Sequence, residues 1–360
     1  MPAKAASRAT GTAILAAFRA AGGVEVEADI LQPAEALLDL YGEDIRGRAY
    51  VTTDPLRGEM MLRPDFTVPV VQAHMAGGAE PARYCYLGEV FRKQDHRGSA
   101  RVAEYFQAGY EVFDRADPEA ADAEVFALFS KLLAPLGLVA AIGDIGLLMD
   151  AVRGLQTLGA RKSALLRHIW RPRRFHALLD RYAGVTPVPL ARAALLRGVA
   201  VPKAPWVGLR SKAEMQARIA ALAADAEAAP IAAAEVAQLD RLFALKAPAP
   251  EALARLQDLA RDMPSIAPAV TRLGRRLAAL ADRGVDLAAV TFDASHGRTT
   301  MEYYDGFVFS FTVASDPTLP PVASGGRYDA LTAVLGQGRS IPAVGGVIRP
   351  GLVADLGGLV

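Results

Sequence analysis

From about residue 151 to about residue 285 the chain is a run of alanine, leucine and arginine with apolar residues at helical spacing, as in Ala252, Leu253, Leu256, Leu259 and Ala260. The texture differs on both sides. Residues 1–150 combine a first amphipathic helix, which buries Ile14, Leu15 and Phe18, with short strands and turn-rich links such as Asp54-Pro55-Leu56-Arg57-Gly58. Residues 286–360 return to strand-like runs, notably Gly306 to Val313, broken by glycines. Strands this far apart in the chain can bury their apolar faces by pairing with each other. The helical block then becomes an insertion, and its flanks join into one sheet. The expected class is α+β, with a first core part at 1–150, a mainly helical insertion at 151–285 and a second core part at 286–360. No fixed repeat period suggests a solenoid.

Composition narrows the function classes. With 360 residues, 52% hydrophobic and 22% charged, the chain can build a large ordered core. Forty basic residues against 39 acidic ones leave a net charge of +1, without the basic excess typical of nucleic-acid binding. One local basic stretch, Arg161, Lys162, Arg167, His168, Arg171, Arg173, Arg174 and His176, reads as a solvated helix face interrupted at Pro172; contact with an anionic partner is the alternative. The single cysteine, Cys85, excludes an internal disulfide, and its apolar surroundings from Tyr84 to Phe91 predict an inert buried thiol. The apolar run Ala13 to Phe18 is cut short by Arg19 and Glu25, no longer run qualifies as a membrane span, and a cytoplasmic location is expected.

The most informative segment is Glu104 to Phe113. At period two, one face carries Phe106, Ala108, Tyr110 and Val112 and suits a core. The other carries Tyr105, Gln107, Gly109 and Glu111. An amide oxygen and a carboxylate can both accept from an ammonium group, and the glycine between them leaves room for a ligand. Considered alone, this face reads as the solvent side of an ordinary sheet. Two further segments add to it. Leu62-Arg63-Pro64-Asp65-Phe66-Thr67 sets an acid beside a proline-stiffened turn. Glu302-Tyr303-Tyr304-Asp305-Gly306 leads into a strand running to Phe311; Tyr303, in line with Phe307, Phe309 and Phe311, is expected in the core, and Tyr304, on the face of Gly306, in a pocket.

These segments together resemble the histidyl-tRNA synthetase family. Leu62-Arg63-Pro64-Asp65-Phe66-Thr67 is similar to its Leu-Arg-Pro-Glu-Gly-Thr signature. Gly88-Glu89-Val90-Phe91-Arg92, followed by Arg101 and Glu104 to Phe113, resembles motif 2 of the class II synthetases. Met301-Glu302-Tyr303-Tyr304 resembles the tyrosine-bearing histidine motif, and Gly325-Gly326-Arg327-Tyr328-Asp329 with Pro342-Ala343-Val344-Gly345 resembles the approach to motif 3. The fragments stand in family order from about residue 10 to 350. The resemblance implies a class II aminoacyl-tRNA synthetase-like core, a mainly antiparallel sheet flanked by helices, and a histidine pocket. Asp65, Gln107 and Glu111 would hold the amino group, and Tyr304 the imidazole.

The adenylation machinery is eroded. Forming an adenylate needs cations against the charge building on the α-phosphate, and each one lost costs about two to three orders of magnitude in rate. The arginine that precedes the tyrosine motif in the family is Thr299 here, with Arg298 one residue away. The motif 3 arginine is Leu352, and Pro350 is expected to disturb the helix start there. Motif 2 keeps Arg92, but has Gln94 for its glutamate and Ala103 for a second arginine. Arg92 and Arg101 are left as a vestigial nucleotide or phosphate pocket. No room is left after motif 3 for an anticodon-binding domain, so no tRNA partner is expected.

Within the wider family this pattern is similar to the synthetase-like regulatory subunits of ATP phosphoribosyltransferase. The resemblance implies a chain with no catalytic residues, metal or cofactor of its own. Its partner would be a short-form catalytic subunit, its effector histidine, and its assembly a homodimeric unit within a hetero-octamer. The rival readings are a truncated ligase that activates histidine and an RNA-binding module built on Arg161 to Arg174.

Overall fold

The computed structural model describes residues 4–41, 45–94, 102–197, 207–298 and 303–359. Its strands, in chain order, are β1 (Val24–Glu25), β2 (Leu31–Pro33), β3 (Val51–Asp54), β4 (Gly58–Leu62), β5 (Ala82–Phe91), β6 (Glu104–Phe113), β7 (Val139–Asp144), β8 (Lys246–Pro248), β9 (Val290–Asp293), β10 (Phe307–Thr312), β11 (Ala323–Arg327) and β12 (Ala343–Ile348). Among the described residues, nine of them form one sheet in the order β1-β5-β6-β12-β11-β10-β7-β9-β8. Pairing is antiparallel from β5 through β7 and again between β9 and β8; β1 joins β5, and β9 joins β7, in parallel. The mainly antiparallel sheet expected from the sequence is therefore present. Strands from both flanks interleave in it: β12 lies between β6 and β11. A second sheet, β2-β4-β3, stands beside it.

Alternation along the strands sends the two faces into different cores. Ala108, Tyr110 and Val112 of β6 and Phe307, Phe309 and Phe311 of β10 turn to the larger one, where Phe126 and Phe129 of helix Pro118–Leu133 and Phe18 of the first helix meet them. Ile14 and Phe18 are fully buried and Leu15 nearly so, as the helical reading of that segment requires. The opposite face carries Tyr86, Val308 and Val347 into a smaller cluster with Phe66, Tyr304 and Tyr328.

Among the described residues, the helical segment shares the core of the sheet. Leu165, Ile169, Phe175 and Leu179 join the same cluster as Phe126 and Phe309. It also returns a strand: β8 follows helix Ala233–Phe243, pairs with β9 and ends the large sheet. Pro172 does interrupt the helical run, as the first-turn residue of Pro172–Tyr182 after Gly159–Arg167 has ended. The basic stretch here is not uniformly a solvated face. Arg161 is 6% exposed; it pairs with Asp225, donates to the carbonyls of Ala228 and Ala229, and lies 5.1 Å from the Tyr182 ring. Arg167, Arg173 and Arg174 are exposed. Cys85 is a buried free thiol raised by desolvation. No described helix is long and apolar enough to cross a membrane.

Candidate functional site

The site is laid out by strand register. Glu111 on β6 stands opposite Gly345 on β12, which stands opposite Gly326 on β11. Both glycines are there for what crosses them. A Cβ on Gly345 would fall 1.4 Å from Glu111 Oε2, and one on Gly326 would fall 3.0 Å from the Tyr304 ring. Two missing side chains thus let the Glu111 carboxylate lie over β12 and the Tyr304 phenol over the neighbouring β11. Toward the other end of β6, Gln107 faces Gly88 of β5, and a Cβ there would press on Arg63 and Phe66. Asp65, Gln107, Glu111 and Tyr304 are all buried on this side, at 6%, 0%, 1% and 7% exposure. Asp65 sits just before helix Thr67–Met75, 3.5 Å from the Val68 amide, and its charge is felt by Glu111, Tyr86 and Tyr304.

Glu111 is the electrostatic centre. The Tyr86 hydroxyl donates to its Oε1 at 2.9 Å and the Thr67 hydroxyl at 3.3 Å, while the Tyr328 hydroxyl donates to Oε2 at 2.6 Å. Burial raises its carboxyl to about 7, and the Asp65 charge adds to that; the three hydroxyls pull the other way without prevailing. No Lys or Arg pairs with it among the described residues. Tyr304, Tyr86 and Tyr328 are all pushed up, burial first and the Glu111 charge second. Gln107 differs from its neighbours: both its Oε1 and its Nε2 are buried without a hydrogen-bond partner.

The structure corrects several expectations. The space left by Gly109 is filled by the Tyr86 ring, which a Cβ at 109 would approach to 2.1 Å, so that glycine seats an aromatic wall and not a ligand. Tyr303 and Tyr304 precede β10, which starts at Phe307. Tyr303 packs against Tyr304 at 4.7 Å and belongs with the site cluster, not with Phe307, Phe309 and Phe311. A period-two reading extended upstream of the true strand start put it on the wrong face. Pro350 does not disturb the last helix: it is the first-turn residue of Pro350–Asp355, where a proline lacks nothing the helix needs. Leu352, at the motif 3 arginine position, packs against the large core.

The cations divide. Arg92 donates from Nε to the Pro64 carbonyl at 2.8 Å. Arg349 donates to the Pro321 carbonyl and holds its guanidinium 5.7 Å from the Tyr105 ring. Burial pushes the Tyr105 phenol up, but Arg92 and Arg349 outweigh it and hold the group below its ordinary value. Positive charge therefore reaches the rim of the site, two residues from Gln107 along one strand face. Arg298 is elsewhere, against Phe175 and Phe243. Arg101 and Thr299 lie outside the described residues, as do Met301 and Glu302.

Three contributors escaped the sequence reading. Tyr86 and Tyr328 reach Glu111 from 25 and 217 residues away. Phe66, where the family signature has glycine, stacks on Tyr86 with centroids 4.3 Å apart and lies under the Arg63 guanidinium at 4.0 Å. That departure at one position of a quoted signature was the available clue.

The chain was compared with known proteins. A profile of the histidyl-tRNA synthetase family matches residues 1–350. A protein from Agrobacterium fabrum named ATP phosphoribosyltransferase regulatory subunit is 34% identical over 357 residues, covering 92% of each chain. One of the same name from Brucella canis is 31% identical over 348 residues, covering 89% of each. Among solved structures, an ATP phosphoribosyltransferase regulatory subunit/histidyl-tRNA synthetase from Bacillus halodurans superposes with a TM-score of 0.67 at 20% identity, covering 99% of this chain and 81% of that one. Histidyl-tRNA synthetase from Nostoc gives 0.66 at 16% identity, covering 97% and 71%. These two likenesses bear on the fold.

Proposed function

The chain belongs to the histidyl-tRNA synthetase-like family of ATP phosphoribosyltransferase regulatory subunits, and from that premise we propose that it is a non-catalytic cytoplasmic subunit that binds free histidine and conveys its concentration to a short-form catalytic partner. The observation that carries the pocket is the pair Gln107 and Glu111. A fully buried amide with neither atom partnered costs about 1–3 kcal/mol for each unmet group, and the Glu111 carboxylate, four residues on along the same strand face, has no cation among the described residues. An α-ammonium group meets the need of the acceptors: it donates to Gln107 Oε1 and to the Asp65 and Glu111 carboxylates, while the Tyr304 hydroxyl addresses the imidazole; Gln107 Nε2, itself a donor, needs a ligand oxygen instead.

Adenylation is not part of the reading. The motif 3 position is an apolar core residue, Leu352, and Arg298 is turned into the helical segment. Arg349 and Arg92 stand at the rim around Tyr105. They are the observation that favours the rival, a truncated ligase. An assay of histidine-dependent ATP–pyrophosphate exchange separates the two: background exchange is expected, and robust exchange would revive the ligase.

By this reading the chain assembles with the catalytic subunit as a homodimeric unit of a hetero-octamer, activates the first step of histidine biosynthesis and confers inhibition by histidine. The ligand can change activity only by binding one state of the assembly better than another. Calorimetric titration of histidine and inhibition of the reconstituted complex should fail together in Glu111→Ala. Full inhibition without binding in this pocket would place the effector site elsewhere.

A further inference from the structure

Arg298 is a buried cation that the pocket does not use. It is 3% exposed, and among the described residues no carboxylate pairs with it. Its Nε donates to the Ile169 carbonyl at 2.8 Å, its guanidinium lies 4.5 Å from the Phe243 ring and 5.3 Å from the Phe175 ring, and its Nη2 has no partner. Desolvation with nothing to offset it brings the group down to about 10, still charged at neutral pH. Two aromatic faces offset part of the burial of a guanidinium, but leave Nη2 without an acceptor.

The next residue after that carbonyl repeats the shortage. Trp170 Nε1, which can only donate, is buried without an acceptor, and His168 Nδ1 on the other side of Ile169 is also unpartnered. Trp170 packs against both hydrophobic clusters, so this spot is where the helical segment meets the site side of the sheet. Arg298 Nη2 and Trp170 Nε1, the one from the side chain bonded to the Ile169 carbonyl and the other from the next residue in sequence, are both buried donors without an acceptor, and one of them is cationic. A cation retained in an apolar setting is destabilising unless a counter-charge meets it.

We propose that Arg298 and the Trp170 indole form a binding site for a small oxyanion, phosphate or carboxylate, at the junction of the helical segment and the sheet, separate from the pocket of Asp65, Gln107, Glu111 and Tyr304. The guanidinium provides charge and a planar pair of donors, the indole a third donor, and Phe175 and Phe243 hold the fork in place. The proposal is independent of the histidine reading, because neither Arg298 nor Trp170 is among the side chains proposed to hold histidine, and Arg298 is bonded instead to the Ile169 carbonyl.

The test uses the full chain with Trp206→Phe, which leaves Trp170 as the sole tryptophan. Inorganic phosphate and, separately, acetate are titrated against sodium chloride at constant ionic strength, with indole emission and the thermal midpoint as readouts. A saturable emission change and a rising midpoint are expected with one or both oxyanions, and the arm that responds identifies the class. In Arg298→Met, which conserves volume and removes the charge, the apparent affinity should drop at least tenfold while histidine binding persists. If Arg298→Met does not fold, Arg298→Lys should retain a weakened response. An absent response in the parent, or an equal one in the variants, would overturn the site. So would Arg298→Met raising the midpoint in chloride and keeping the phosphate response.

Discussion

Replacing Glu111 by glutamine should stabilise the unliganded protein while abolishing its ligand. The carboxylate is buried with three hydroxyl donors and, among the described residues, no cation, and burial holds it at about 7 against an ordinary 4.5. That displacement corresponds to about 3 kcal/mol. Its sign follows from proton linkage. Below 4.5 the group is neutral in folded and unfolded chains, and the cost vanishes. Between 4.5 and about 7 the folded chain holds the extra proton, so stability falls as pH rises. Above about 7 both states are ionised and the folded one bears the full cost. Glutamine keeps the shape and carries no charge, and hydroxyls that now donate to an oxygen can turn to accept from an amide N–H. Urea unfolding of Glu111→Gln should show a gain of up to about 3 kcal/mol at pH 8 and little change at pH 4.5. Histidine should behave oppositely. Taking one partner from a buried charge pair costs about 3–5 kcal/mol, roughly a hundredfold to several thousandfold in affinity. In the parent, affinity should also decline below pH 7, by at most about tenfold per pH unit, since the Glu111 proton must leave before the ammonium can pair; the variant should lack this component. Equal destabilisation at both pH values, or histidine binding retained in Glu111→Gln, would refute the reasoning.

Gly345→Ala forces a methyl onto Glu111 Oε2, a 1.4 Å approach, so it should lower stability by about 1–3 kcal/mol or more and displace the carboxylate; thermal melts with histidine titration would read both. Asp122 bridges Arg276 at 2.7 Å and Arg327 at 2.7 Å with all three groups buried, so Asp122→Ala should cost about 3–5 kcal/mol in urea unfolding. Ser211 caps helix Lys212–Glu227 in a reciprocal box with Glu214, and no residue of that helix is buried. Ser211→Ala should cost about 1 kcal/mol and speed amide exchange within this helix, leaving histidine affinity unchanged.

What the sequence disclosed was local. The period-two pattern of β6 correctly assigned Gln107 and Glu111 to one face and Phe106, Ala108, Tyr110 and Val112 to the other, because alternation along a strand is a property of neighbouring residues. What surrounds Glu111 was hidden, since Tyr86 and Tyr328 come to it through cross-strand register and a helix start over 200 residues away. The same blindness made Arg161 look like part of a surface stripe: its partner, Asp225, is 64 residues on. Arg298 could be placed one position from a family arginine, but its burial between Phe175 and Phe243 depends on how helices from the inserted segment fold back. The short strand Lys246–Pro248 sits within a helical composition and offers no alternating run long enough to detect.

That short strand limits how the molecule can move. Because β8 is knitted to β9 by backbone pairing, the helices before and after it are anchored to the sheet's rim. A hinged swing of the whole lobe would first have to unzip that seam. Pro248 at the outermost position also withholds an amide from any further chain seeking to extend the sheet there. On the function proposed above, a signal leaving the Glu111 pocket would pass between packed side chains without a swing of the lobe, and a disulfide fastening the lobe to the rim should leave it intact.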